Sequence, residues 1–127
     1  MESKMPSQRQ LRVGEEIRQA LAQIFAHGET HIPALDSGSI TVSEVRISPD
    51  LKNATVYVMP LAGSNKETIM AALKEHTSRV RHLLSRKVLL RHLPKLLFKL
   101  DTSYEVASRI HQLLESDRVK RDTDDAN

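Results

Sequence analysis

The chain has 127 residues, with 19 Lys or Arg, 16 Asp or Glu and a formal net charge of +3. It contains no cysteine, which excludes a disulfide framework and a thiolate metal site and gives no sign of an oxidising compartment. The first residues lack the apolar segment of a secretory signal, and no stretch approaches the roughly 18 apolar residues of a membrane span. We therefore expect a cytoplasmic protein with one small domain.

The N-terminal part is predicted to contain a flexible arm over residues 1–8 and then a helix. From Arg9 onward, apolar residues recur at three- and four-residue spacing until His27 and Gly28, where the helix should end. These apolar positions are Leu11, Val13, Ile17, Leu21, Ile24 and Phe25. Residues 30–39 include Pro33 and Gly38, a composition typical of a surface loop.

Two strands follow the loop and should form a hairpin. Residues 40–47 are rich in β-branched side chains, and strict alternation places Val42 and Val45 on opposite faces. Residues 53–59 alternate again, with Ala54, Val56 and Val58 on one face and Thr55, Tyr57 and Met59 on the other. Between them, Ser48-Pro49-Asp50 predicts a turn in which Asp50 is a turn former rather than a general base.

A long second helix is predicted after the hairpin. Ser64 and Glu67 have the spacing of a capping box, and apolar residues continue at helical spacing to Leu84, with His76 as a packing residue on the core face. Ser85 interrupts this pattern, which predicts a bend or break followed by a short helical piece to about His92. Pro94 would then end the helix.

The remaining elements are a third strand and a last helix. Leu96, Phe98 and Leu100 alternate with Lys95, Leu97 and Lys99, which predicts a strand with one face in the core. Asp101 should lie in the turn before a helix that is capped by Ser103 and bears Val106, Ile110, Leu113 and Leu114. The polar tail, residues 115–127, is predicted to be disordered. The order α-β-β-α-α-β-α predicts an α+β fold with helices packed on one three-stranded sheet.

The segment from residue 79 to residue 100 has an unusual charge distribution. It carries seven Lys or Arg and two His, and no acid occurs between Glu75 and Asp101. A solvated helix face is the plainest interpretation, but such faces usually alternate both signs of charge. A membrane surface would also attract cations, although Pro94 splits the segment and the leucines after it fit a core-facing strand.

Nucleic acid is the stronger interpretation, because phosphates favour clustered Lys and Arg through counterion release. A break at Ser85 would also create a helix N-terminus whose free amides bind phosphate, with Arg86, Lys87 and Arg91 beside them. Arg79 and His82 would extend the same flank. With few aromatic residues, a base-stacking platform is not expected, and a helix-turn-helix-like DNA-binding module remains the alternative.

Other kinds of site have weaker support in the sequence. His27 and His31 are four residues apart, but they flank a helix end and lack a third ligand, so no metal site is predicted. No nucleophile with a base, nucleotide loop or carboxylate pair stands out. We expect a protein that is not an enzyme and that uses no cofactor and no small-molecule substrate.

Three segments of the sequence are distinctive when taken together: VSEVRISPDLKNATVYV in the hairpin, LPKLLFKLDTS across the third strand, and RIHQLL in the last helix. In this order and at these spacings, they resemble the ribosome-binding factor A family of bacterial small-subunit maturation factors, and the resemblance spans residues 9–114. It implies a type II KH-like fold, α-β-β-α-kink-α-β plus a C-terminal helix. The family's kink usually reads Ala-x-Gly, and we assign it here to Leu83-Leu84-Ser85. Lys95 stands where the family often has Glu.

The resemblance also implies a function. A member of this family is expected to bind the rRNA of the small ribosomal subunit, near the 5′-end helix and the decoding region, and to support rRNA end processing and growth in the cold. It would not bind membranes and would be a monomer when free. The predicted RNA-binding residues are Arg79, His82, Ser85, Arg86, Lys87, Arg91 and Lys95, with Arg9 and Arg12 from the first helix.

Overall fold

The computed structural model describes residues 5–36, 40–61, 64–103 and 110–114. The helices are α1 (Gln8–Ala26), α2 (Pro33–Asp36), α3 (Lys66–Glu75) and α4 (Thr77–Ser85), and the strands are β1 (Ile40–Ile47), β2 (Asn53–Pro60) and β3 (Lys95–Leu100). Residues 110–114 are also helical, within the predicted last helix. Residues 104–109 and the tail 115–127 lie outside the described residues. Within the described part, no helix has both the length and the apolar character that crossing a bilayer requires.

Helix α1 forms because its first turn is capped and one of its faces is apolar. The Ser7 hydroxyl accepts a hydrogen bond from the Gln10 amide, and the Gln10 side chain accepts one from the Ser7 amide, which completes a capping box. The buried face is the predicted one and packs on the sheet. Its buried members are Val13, Gly14, Ile17, Ala20, Leu21, Ile24 and Phe25. After the helix, Gly28 has a φ of 63°, which glycine adopts without a Cβ clash.

The three strands form one mixed sheet in the order β1-β2-β3. Strand β1 pairs antiparallel with β2, and β3 pairs parallel with β2, with Asn53 beside Lys95. The predicted alternation of β2 is confirmed, because Ala54, Val56 and Val58 are buried beneath the helices. The predicted α+β, type II KH-like arrangement is likewise confirmed.

A β-bulge at Ser43 corrects the predicted faces of β1. Val42 lies opposite Val58 and Glu44 lies opposite Tyr57, so Ser43 is an extra residue without a partner in the ladder. The extra residue reverses the alternation, and Val42 and Ile47 are therefore both buried, with Val45 packed against the same core. The prediction that Val42 and Val45 face opposite sides is wrong for this reason.

The break in the second helical segment lies at His76, not at Ser85. Helix α3 ends at Glu75, the half-buried His76 forms the junction, and α4 begins at Thr77. The Thr77 hydroxyl donates to the Leu73 and Lys74 carbonyls, at 2.7 and 3.0 Å, a side-chain contact that competes with the helical ladder and bends helices. The assignment of the kink to Leu83-Leu84-Ser85 is therefore wrong.

The helical piece predicted to run to His92 is also absent. Helix α4 ends at Ser85, and a turn and a loop lead from there to β3 at Lys95. The Ser85 hydroxyl donates to the His82 carbonyl at 2.6 Å, within the last turn of the helix. Since no helix follows this turn, residues 86–92 offer no recognition helix for a helix-turn-helix-like module.

The N-cap of α3 also differs from the prediction. The Asn65 side chain, rather than that of Ser64, accepts a hydrogen bond from the Thr68 amide.

Candidate nucleic-acid interface

A groove of about 600 Å³ opens where α1, the β1–β2 turn and the loop before β3 meet. Its floor is apolar and its rim is predominantly cationic. The apolar lining residues are Val13, Leu51, Leu90, Leu93 and Pro94. The cationic lining residues are Arg9, Lys52, Arg81, Arg91 and Lys95, to which His92 adds an imidazole and Asp50 the one carboxylate.

The β1–β2 turn forms one wall of the groove and uses the Asp50 carboxylate for its own structure. Asp50 accepts hydrogen bonds from the Ser48 hydroxyl at 2.6 Å and from the Lys52 amide at 3.0 Å. These bonds, first the one from Ser48, hold the pKa of Asp50 below its ordinary value. The predicted role of Asp50 in the turn is confirmed. Leu51 takes a φ of 62° at the tip, an unusual conformation for a residue with a Cβ, and its half-buried side chain packs against the core.

The opposite wall is the loop before β3, which Arg81 fixes from α4. The Arg81 guanidinium donates to the Leu93 carbonyl at 2.6 Å and to the Pro94 carbonyl at 3.1 Å. The Lys95 amide then donates to the Lys52 carbonyl at 2.9 Å, which joins this loop to the turn on the other side of the groove. The two walls are therefore held in place before any ligand binds.

Three predicted RNA-binding residues, Arg9, Arg91 and Lys95, come together at this groove. All three are exposed, and none forms an ion pair with a carboxylate within the described ranges. Cations that lie together and outnumber the acids beside them repel one another, and a bound anion would relieve that repulsion. Phosphate groups fit this requirement.

Arg79 and Lys87 lie elsewhere and have partners within the protein. The Arg79 guanidinium donates to the Thr30 carbonyl at 3.2 Å, near the end of α1. Thr30 is itself buried, and its hydroxyl donates to Asp36. The Lys87 ammonium lies 3.1 Å from the Glu29 carboxylate and borders a second, smaller depression beside α1. These contacts tie α4 and the following turn to the segment after α1.

The predicted phosphate site at a helix N-terminus after Ser85 does not exist. The Arg86 amide donates to the Leu83 carbonyl at 3.2 Å, and the Lys87 amide donates to the Leu84 carbonyl at 2.9 Å. Both amides therefore close the end of α4 instead of pointing at a ligand. The side chains of His82, Ser85 and Arg86 are exposed, as is that of Arg12, and none of these four lines the groove.

Sequence reasoning missed Lys52, Arg81 and His92 as members of the site. Arg81 and His92 belong to the acid-free segment, which was a usable signal, whereas nothing in the sequence near Lys52 indicates that its turn lies beside that segment. The predicted turn at Asp101 is confirmed, because its carboxylate accepts from the Ser103 amide at 2.9 Å and from the Ser103 hydroxyl at 2.7 Å. The described residues hold no group of three or more His, Cys, Asp or Glu arranged to bind a metal ion.

Comparisons with known proteins agree with this fold. A relative named ribosome-binding factor A from Paramagnetospirillum magneticum is 52% identical over 124 residues, which cover 98% of this chain and 87% of the relative. A protein of the same name from Pelagibacter ubique is 49% identical over 108 residues, covering 85% of this chain and 88% of that protein.

Two structures of a Thermus thermophilus protein are also similar to this chain. The crystal structure of its ribosome-binding factor A is 29% identical, with a TM-score of 0.56, and the match covers 72% of this chain and 94% of that chain. A homology model of the same factor, fitted into the cryo-EM map of a 30S complex, is 28% identical with a TM-score of 0.57, covering 70% and 91%. The family model for ribosome-binding factor A matches residues 9–114. The chain therefore belongs to the ribosome-binding factor A family.

Proposed function

We propose that this protein binds the small ribosomal subunit through rRNA and acts there without catalysis. The observation that carries the proposal is the groove, where Arg9, Arg91 and Lys95 are exposed and no carboxylate within the described ranges pairs with them. The related factor from Thermus thermophilus, fitted into the map of a 30S complex, supports the choice of partner.

The proposed mechanism relies on binding energy alone. A factor that binds an immature form of the subunit more tightly than the mature form shifts the rRNA toward the conformation that it binds, by the ratio of the two affinities. Release follows when the rRNA reaches the conformation with the lower affinity. No proton transfer or covalent step is needed for this action.

The proposal also includes the finer features implied by the family resemblance. The bound rRNA would be the 5′-end helix and the decoding region, occupied late in maturation, and binding would support processing of the rRNA ends. The free protein would be a monomer in the cytoplasm. The cationic groove supports this proposal, because it offers a surface for the phosphates of a duplex or of unpaired strands.

Co-sedimentation with immature and mature small subunits over a series of salt concentrations tests the proposal. We expect retention on the immature subunit and weaker retention on the mature one. If the protein contacts Z phosphates, the logarithm of the affinity should fall with the logarithm of the salt concentration with a slope of about −0.7Z to −0.9Z. Equal retention on both subunits would contradict the proposed mechanism, and no retention on either would contradict the proposed partner.

A further inference from the structure

We propose that the groove holds one unpaired nucleotide, with the base on its apolar floor and the phosphate on its cationic rim. This inference rests on the proposed function and names the ligand class of its site. The groove lies at the end of the domain where α1 begins, because Arg9 and Val13 line it. His76, at the α3–α4 kink, does not line it, and Arg79 in the first turn of α4 contacts Thr30 after the end of α1. The groove is therefore a site separate from the kink.

The floor explains why a base, and not only a phosphate, should bind. Leu51, Leu90 and Leu93 are half-buried and pack against the core while still lining the groove. A site for phosphate alone needs no such apolar surface, because phosphate oxygens are bound by cations and N–H donors. A heterocyclic base, by contrast, gains free energy when its faces leave water for apolar side chains.

The rim supplies the charge for the adjoining phosphate. Arg9 contributes from α1, Arg91 from the loop and Lys95 from the first position of β3, so three separate elements surround the same opening. Asp50 also lines the groove, but its carboxylate accepts two hydrogen bonds within the turn and is outnumbered by the surrounding cations. The resulting positive potential favours a negatively charged ligand.

The size and rigidity of the groove fit a single nucleotide better than a double helix. Its volume of about 600 Å³ lies within the range of small-ligand sites, roughly 300–1,000 Å³. A base inside a duplex is stacked on both faces and cannot enter such a concave site, whereas a bulged or terminal base can. Arg81 fixes the loop in advance, which reduces the ordering cost of binding.

The test compares three RNAs with the intact protein: a fully paired duplex, the same duplex with one bulged nucleotide, and that bulge made abasic. We expect the bulged RNA to bind about tenfold more tightly than the abasic one, which keeps the phosphate but lacks the base. Amide chemical shifts of Leu51, Leu90 and Leu93 should change with the bulged RNA. Because the RNA is altered and not the apolar residues of the groove floor, the folding of the protein is the same in all three measurements.

Variants of the rim provide a second measurement. Arg91→Ala/Lys95→Ala should weaken binding of the bulged RNA by about tenfold or more, because the phosphate loses two cations. Lys74→Ala/Lys99→Ala removes the same charge from exposed sites outside the groove and should leave the affinity within about twofold of the wild type. Adenosine 5′-monophosphate serves as the probe for a free nucleotide. If this probe saturates the chemical-shift changes of the groove amides at a lower concentration than the bulged RNA does, the ligand is still a nucleotide, but a free one rather than part of an RNA.

Equal affinity for the bulged and abasic RNAs would overturn the inference. RNA binding and subunit binding could both persist in that case, so the proposed function would stand. Shifts confined to residues near Thr30 would likewise overturn it, since they would place the base outside the groove. Loss of binding to every RNA and to the small subunit would instead remove the proposed function together with the inference.

Discussion

The Arg81 guanidinium lies 2.6 Å from the Leu93 carbonyl oxygen and links the middle of α4 to the loop that precedes β3. A second donor of the same side chain reaches the Pro94 carbonyl at 3.1 Å. Arg81 belongs to the acid-free segment, yet these contacts make it a positioning residue that shapes the groove. The cationic character of the segment therefore serves two purposes, one within the fold and one at the surface.

Replacement of Arg81 should destabilise the domain. Arg81→Ala removes two hydrogen bonds from a charged donor and leaves two carbonyls without that partner, and we expect a loss of about 2 kcal/mol in the free energy of unfolding. Arg81→Lys should recover only part of this, because an ammonium does not reproduce the planar fork. Urea unfolding measures both, with the exposed Arg12→Ala as a control that should change stability by about 0.5 kcal/mol or less. Wild-type stability in Arg81→Ala would show that these bonds contribute nothing.

Gly14 should not tolerate alanine, although alanine is the better helix former. A Cβ at this position would lie 2.7 Å from the Val45 carbonyl oxygen, so α1 would have to move away from β1. Helix propensity favours Gly14→Ala by about 1 kcal/mol, whereas the clash should cost about 1–3 kcal/mol. We expect a net loss of stability and a lower melting temperature. A melting temperature above that of the wild type would mean that the helix shifts without strain.

Asp101 should make stability depend on pH in the acid range. The Ser43 hydroxyl, and then Ser103, hold the pKa of Asp101 below its ordinary value. Because the folded pKa lies below the unfolded one, this contribution is complete above about pH 4 and is lost as the pH falls through the lowered pKa. Asp101→Asn and Ser43→Ala should each flatten the loss of stability in acid, measured by urea unfolding at several pH values. An unchanged acid slope in both variants would assign the dependence to other carboxylates.

Lys87 should contribute less to RNA binding than Arg91. Lys87 already forms an ion pair with Glu29 at 3.1 Å and lies outside the groove, whereas Arg91 lines the groove and has no ion pair within the described ranges. Arg91→Ala should reduce the magnitude of the salt slope by about 1, and Lys87→Ala by less than half of that. The measurement is affinity for a model RNA at several salt concentrations. Equal reductions would show that the Glu29 pair does not withhold Lys87 from RNA.

The strands could be predicted well because their side chains alternate in the sequence. In β2, burial follows the alternation residue by residue. In β1 the same reasoning fails at Ser43, because a bulge is set by the pairing of two strands and not by the residue itself. The Ser43 hydroxyl donates to the Tyr57 carbonyl and to Asp101, contacts that only the folded sheet brings together.

The position of the kink could not be predicted from apolar spacing. His76 continues the helical pattern from Leu73 to Val80, so the pattern gives no sign of a break there, whereas Ser85 interrupts it visibly. At the break, the Thr77 hydroxyl bonds to carbonyls of the preceding turn, a contact that often bends helices. The sequence likewise indicated only part of the cationic site. The excess of positive charge identified the segment. Only the tertiary structure shows that Arg91 and Lys95 line the groove, whereas Arg79 contacts Thr30.

The most direct test of the central claim measures affinity for the immature small subunit in two variants of equal charge. Arg91→Ala/Lys95→Ala removes two groove cations, and Lys74→Ala/Lys99→Ala removes two cations outside the groove. We predict that the first variant loses about tenfold or more in affinity while the second stays within about twofold of the wild type, at one fixed salt concentration. Equal losses in the two variants, with unchanged thermal stability, would contradict the claim that the groove is the RNA-binding surface.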